Sequence, residues 1–168
     1  MLDKLMPDFI FDKFDDVTPE FLKANNIEFL LIDIDNTLAP YEEPLPGEHV
    51  ERWFKLLEAN GIKAMLVSNN HPPRVELFNK SLGLPAYADC KKPSPKRLRR
   101  YADVIGAVNE RTAALGDQIF TDVWGAKMMG ARAILVPPIR DKKTLFVKAK
   151  RFLERPIIKK YRKIHEVK

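Results

Sequence analysis

Two aspartates, Asp33 and Asp35, close the apolar run EFLLIDID over residues 28–35. An uninterrupted run such as 28–33 reads as a β-strand buried on both faces, the pattern of a parallel sheet covered by helices. Two carboxylates two residues apart at the mouth of such a strand repel each other. A divalent cation with oxygen ligands, such as Mg²⁺, relieves that repulsion. The competing reading is a plain turn or helix cap over Asp35-Asn36-Thr37, whose residue types favour both. On this stretch alone the two readings stand side by side.

The remaining chain alternates strand and helix signals. Pro46 and Gly47 open a helix that places Val50, Trp53, Phe54 and Leu57 on one face and stops at Asn60-Gly61. Residues 62–68 (IKAMLVS) form a second strand. Pro72-Pro73 starts a helix through Leu82, and residues 85–88 form a short third strand. Ser94-Pro95 combines an N-cap with a proline at the first helical position, which predicts a helix to about Val108. Residues 112–116 give a fourth strand, 122–129 a short helix capped by Gly130, and 132–136 a fifth strand. Strands alternating with helices, without hairpin signals, predict an α/β fold: a doubly wound, Rossmann-like sheet of five parallel strands with helices on both faces.

In such a sheet ligands bind beyond the carboxyl ends of the strands, where the strand order reverses. Three further stretches put polar residues there. Gly116-Asp117-Gln118-Ile119-Phe120-Thr121-Asp122 supplies two more carboxylates, with Asp122 readable also as a helix N-cap. Val67-Ser68-Asn69-Asn70 supplies a small hydroxyl and amides, in isolation a turn. Lys92-Pro93 supplies a cation, with Lys91 as the competing lysine. A lone lysine in a basic run is usually a solvated charge. The order of the four stretches along the chain gives them their specificity.

Together they resemble the haloacid dehalogenase (HAD) superfamily, with its Asp-x-Asp-x-Thr, Ser/Thr, Lys and Gly-Asp motifs. The segments LLIDIDNTLAPYEEP, LVSNN, KKP and LGDQIFTDVWGAKMMGARAILV look like the YqeG branch of its class IIIA phosphatases, related to phosphatidylglycerophosphate phosphatases. The resemblance implies Asp33 as nucleophile and Asp35 as general acid and base, roles their chemistry supports. It implies Mg²⁺ held by the Asp33 and Asp117 side chains and the Asp35 backbone carbonyl, with Asp122 supporting directly or through water. Mn²⁺ suits the same ligands. Ser68 and Asn69 would bind phosphoryl oxygens, Thr37 would serve the substrate, and Lys92 would neutralise both the phosphoryl group and Asp33.

HAD enzymes often close over small substrates with an inserted cap. Thirty-five positions separate Asp33 from Ser68 and 24 separate Ser68 from Lys92, each consumed by the expected helix and strand. No cap domain fits, and an open site favours a large substrate. The net charge of +6 points the same way, because residues 140–168 carry +9 and the rest of the chain −3. Residues 1–140 therefore read as a capless catalytic domain and 141–168 as a basic amphipathic helical tail, interrupted at Pro156. The tail either packs on the sheet or extends to an anionic membrane surface, with Leu2, Leu5, Met6, Phe9, Ile10, Phe11 and Phe14 inserting beside it.

The expected function is thus a Mg²⁺-dependent phosphomonoester hydrolase acting on phosphatidylglycerophosphate. A soluble sugar or nucleotide phosphate, a nucleic-acid end, or an RNA- or ribosome-binding module are the alternatives. Single Cys90 excludes an intrachain disulfide, and early acids (Asp3, Asp8, Asp12) argue against a secretory signal, so the expected compartment is the cytoplasm, with a peripheral place on the inner membrane face. His49, His71 and His165 show no metal-site spacing; His71 and Arg74 border the expected pocket by sequence position alone.

Overall fold

The apolar runs assemble into one parallel sheet. The computed structural model describes residues 2–140 and 145–165. Its strands are β1 (Phe9–Ile10), β2 (Phe29–Ile32), β3 (Lys63–Val67), β4 (Ala86–Tyr87), β5 (Thr112–Gly116) and β6 (Arg132–Leu135). They lie in the order β1-β6-β5-β2-β3-β4, each neighbour parallel to the next. From β2 the chain winds outward through β3 and β4, then returns across the sheet to β5 and β6. The order therefore reverses between β2 and β5, and Asp33 and Asp117 follow those two strands directly.

Period-two alternation sorts the strand residues to two faces. Leu30, Ile32, Ala64, Leu66, Ala113 and Leu115 meet helices α1 (Pro19–Ala24), α2 (Glu48–Ala59) and α3 (Pro72–Asn79). Leu31, Met65, Val67, Ala114, Ala133 and Leu135 meet α4 (Pro95–Val104), α5 (Trp124–Met129) and α6 (Leu145–His165). Among the described residues, only a loop and α2 separate Asp33 from β3, and only α3 and β4 separate Ser68 from Lys92, so no cap is inserted.

The sheet has six strands, not five. The two-residue β1 is too short to show a period, and its register comes from Asp8. The Asp8 carboxylate accepts the Ala133 N–H at 2.7 Å and pairs with Lys127 at 2.6 Å. The N-terminal aromatics turn inward rather than toward a membrane. Phe9 and Phe11 pack edge-on against Phe21, and Phe14 packs against Trp53 in the core. Helix α4 stops at Val104 because Gly106, at φ +71°, turns the chain, with the Ala107 N–H closing onto the Ala102 carbonyl. Helix α6 runs through Pro156 without a break. Pro156 faces solvent, so the carbonyl it leaves without an N–H partner lies on the exposed side of the helix.

One stripe of α6 lies on the domain. Ile157 is buried, Ile158 packs beside it, and the Tyr161 hydroxyl donates to the Asp8 carbonyl at 3.4 Å. Phe152, Leu153 and Ile164 stay exposed beside basic residues of the same helix. No helix among the described residues is long and apolar enough to cross a membrane.

Candidate active site

The carboxyl edge of the sheet opens into a cleft of about 370 Å³ lined by Asp33, Asp35, Ser68, Asn69 and Lys92, with Asn36, Tyr41, Asn70, Gln118 and Thr121 beside them. Strand β2 delivers Asp33, whose N–H continues the ladder to the Leu115 carbonyl at 2.9 Å. Strand β5 delivers Asp117, followed by a π-helical turn over Ile119–Val123 that swings Asp122 back over the strand end. Gly116 permits this return, since a Cβ there would overlap the Asp122 carboxylate.

Lys92 joins the halves of the cleft. Its Nζ lies 2.7 Å from Asp33 Oδ1 and 2.6 Å from Asp122 Oδ1, and all three residues are buried. Asn69 holds the lysine's main chain at two points: Oδ1 accepts the Lys92 N–H at 2.7 Å, and Nδ2 donates to the Lys92 carbonyl at 3.2 Å. Its amide thus positions Lys92. Lys91 is exposed. Ser68 is buried, and its Oγ accepts the Asn70 N–H at 3.0 Å.

Asp35 stands apart from the acidic cluster. Its Oδ2 accepts from Asn70 Nδ2 at 2.9 Å, and its Oδ1 accepts from Arg74 Nε at 3.1 Å with Nη2 at 3.0 Å. Arg74 therefore contacts the general-acid candidate, while His71 is the residue at the start of α3 and is not part of the cleft lining. Thr37 does not reach the cleft either. The chain turns at Asn36, φ +64°, and sends the buried Thr37 side chain to a separate cavity beside Phe14 and His49, while Asn36 faces the cleft.

Asp33, Asp117 and Asp122 each offer an oxygen within 4.8 Å of the others. Asp117 Oδ1 is buried with no hydrogen-bond partner. A buried, unpartnered carboxylate oxygen on a residue clustered with two other acids suits a hard divalent cation, and the donor set fits one.

Burial raises Asp33 to about 7, helped by the charge of Asp122 and opposed by Lys92. Burial also raises Asp117, to about 8, with Asp33 and Asp122 adding to the rise and Arg151 opposing it. Burial alone would lower Lys92, yet Asp122 and Asp33 outweigh it and hold the lysine above its usual range. Between pH 4 and 8 the folded protein therefore holds protons on this pair more tightly than the unfolded chain does. By linkage, the pair's contribution to metal-free stability should fall as pH rises through that window. Added Mg²⁺ should reverse the trend, since binding needs deprotonated ligands. Thermal unfolding in EDTA from pH 5 to 8 checks this: an unchanged pH profile in Asp117→Asn would contradict it.

The C-terminal helix adds a wall that the amphipathic pattern of the tail does not reveal. Val147, Lys150 and Arg151 of α6 line the cleft. Arg151 bonds the Asp117 carboxylate through Nη2 and the Asp117 carbonyl through Nη1 at 2.6 Å. Glu154 pairs with Arg151 at 2.9 Å and accepts the Ile119 N–H at 2.9 Å. The one signal for this in the sequence is Glu154 itself, the sole acid between residues 142 and 165.

A buried aspartate at the reversal of a doubly wound sheet, with a lysine and two further acids around it, defines a HAD-type hydrolase. The family model for haloacid dehalogenase-like hydrolases matches residues 11–130. The Bacillus subtilis (strain 168) protein "Probable phosphatase YqeG" is 33% identical over 153 residues, covering 91% of this chain and 89% of that protein. The fold is shared with the cobalt-bound deoxy-D-mannose-octulosonate 8-phosphate phosphatase of Haemophilus influenzae (TM-score 0.54, 16% identity, 83% of this chain and 91% of that one). It is shared as well with CbbY of Rhodobacter sphaeroides in complex with phosphate (TM-score 0.50, 18% identity, 71% and 90%). The chain belongs to the haloacid dehalogenase-like hydrolase family, as a YqeG-type phosphatase.

Proposed function

We propose that this protein is a Mg²⁺-dependent phosphomonoester hydrolase that works through an aspartyl-phosphate on Asp33 and takes phosphatidylglycerophosphate to phosphatidylglycerol at the inner face of a membrane. The observation that carries the chemistry is the Asp33–Lys92–Asp122 arrangement beside the orphaned Asp117 Oδ1. Bound at Asp33, Asp117 and Asp122, with the Asp35 backbone carbonyl as a further ligand, Mg²⁺ would offset charge on the phosphoryl oxygens. Asp33 attacks phosphorus, and the ester oxygen leaves with a proton from Asp35. In the second step Asp35 takes a proton from water, which hydrolyses the acyl phosphate. Lys92 orients Asp33 through Oδ1 and balances charge on the transferring group. The Asn70 N–H occupies one lone pair of Ser68 Oγ and leaves the hydroxyl proton to donate to a phosphoryl oxygen.

Two features support a lipid rather than a small soluble ester. The cleft has no inserted cap among the described residues, so the substrate itself must exclude water. The helix that walls the cleft also exposes Phe152, Leu153 and Ile164 beside basic residues, a face suited to an anionic bilayer surface. A phosphate-release assay with Mg²⁺ tests the reading. Vesicles containing phosphatidylglycerophosphate should be turned over faster than sugar phosphates, nucleotides or 5′-phosphorylated oligonucleotides, and EDTA should stop all release. Preference for a soluble ester would remove the lipid assignment and leave the chemistry. RNA binding without any release would favour the binding-module alternative.

A further inference from the structure

We infer that Arg151 and Glu154, both on the C-terminal helix, are positioning residues for the metal site: they fix the Asp117 carboxylate so that only Oδ1 is presented to a divalent cation. This rests on the metal-binding reading above and adds to it a dependence on α6, an element outside the residues matched by the family model.

Asp117 is held from two sides by one residue. Arg151 grips its carboxylate at Oδ2 and its main-chain carbonyl at 2.6 Å, so one guanidinium fork fixes both the side chain and the backbone. Oδ1 is left without a hydrogen-bond partner, and Asp117 clusters with Asp33 and Asp122. Mg²⁺ demands near-octahedral geometry at short distances and tolerates little ligand wobble. A carboxylate free to rotate would present either oxygen or both.

Glu154 completes the device. It is 2% exposed, pairs with Arg151, and accepts the N–H of Ile119, the first residue of the π-helical turn that carries Asp122. One helical pair thereby braces two of the three acidic side chains.

A second possibility predicts the opposite sign. If Arg151 acted on the metal only as a repelling positive charge, removing it would tighten Mg²⁺ binding. The orphaned Oδ1 favours positioning, because Arg151 bonds Oδ2 and leaves the other carboxylate oxygen without a partner. Loss of such an outer partner typically weakens metal affinity 10- to 100-fold.

Calorimetric titration of Mg²⁺ into the EDTA-stripped full-length protein decides. Wild type should bind and Asp117→Asn should not. Arg151→Met should bind about 10- to 100-fold more weakly, Arg151→Lys should fall between, and circular dichroism should show α6 intact in each. If Arg151→Met fails to fold, Arg151→Lys and Glu154→Gln carry the test, with weaker binding expected in both. Mg²⁺ affinity equal to or tighter than wild type in the folded variants overturns the inference. Absence of Mg²⁺ binding in wild type would instead remove the metal reading on which it rests.

Discussion

Asp33→Asn should abolish phosphate release, by on the order of 10⁴-fold or more, while the protein stays folded. The loss follows from chemistry: an amide cannot form the acyl phosphate that splits the displacement into two steps. Retention of the fold follows from the neighbours. Asn is nearly isosteric with Asp, and Lys92 keeps Asp122 at 2.6 Å, so no buried cation is stranded. The substitution also removes one of three carboxylates whose oxygens lie within 4.8 Å, a crowding that helps to raise both Asp33 and Asp117. Metal-free Asp33→Asn should therefore melt at or above the wild-type temperature. Undiminished turnover in the folded variant would remove Asp33 as nucleophile; a drop of many degrees would mean that its charge serves the fold as well as the chemistry.

The parts of this molecule that are local in sequence are legible in the residues themselves. Strands β2, β3, β5 and β6 are apolar runs with sharp polar ends, and those ends carry Asp33, Ser68 and Asp117. Proline at the first turn of α3 and of α4 marks both helix starts. The features that cannot be read this way have no local period. Strand β1 owes its place to Asp8 bonds reaching residues 127 and 133, and α1 spans only six residues. Thr37 and Asn36 exchange places because a single left-handed residue, Asn36, rotates the chain between them. The tail is ambiguous for a different reason. Its composition suits a membrane face and a packed helix equally, and only tertiary contacts show that Arg151 and Glu154 point inward while Phe152 and Leu153 point out.

Lys92→Met should be the most destabilising single change at the site and should also reduce turnover by about 10²–10³-fold, the range for removing one preorganised stabiliser of developing charge. The lysine side chain is 4% exposed and holds Asp33 and Asp122 together. Methionine fills the same space without a charge, so the fold loses pairing rather than packing. Breaking a buried pair from one side costs about 3–5 kcal/mol, because the partner is left charged and desolvated. Here Asp33 has an escape: burial already lifts it to about 7 against the pull of Lys92, so without the lysine it rises further and takes up a proton. The loss should therefore be largest above pH 8, where the cluster is forced to ionise, and should shrink toward pH 6. A second substitution separates charge from packing. In Asp33→Asn/Lys92→Met one stranded charge disappears with the cation, so the double variant should be more stable than Lys92→Met alone. Denaturant unfolding of all three in EDTA at pH 6 and 8.5 measures the coupling. A penalty for Lys92→Met that is the same at both pH values, and that Asp33→Asn does not relieve, would mean that the lysine acts through its packing and not through its charge.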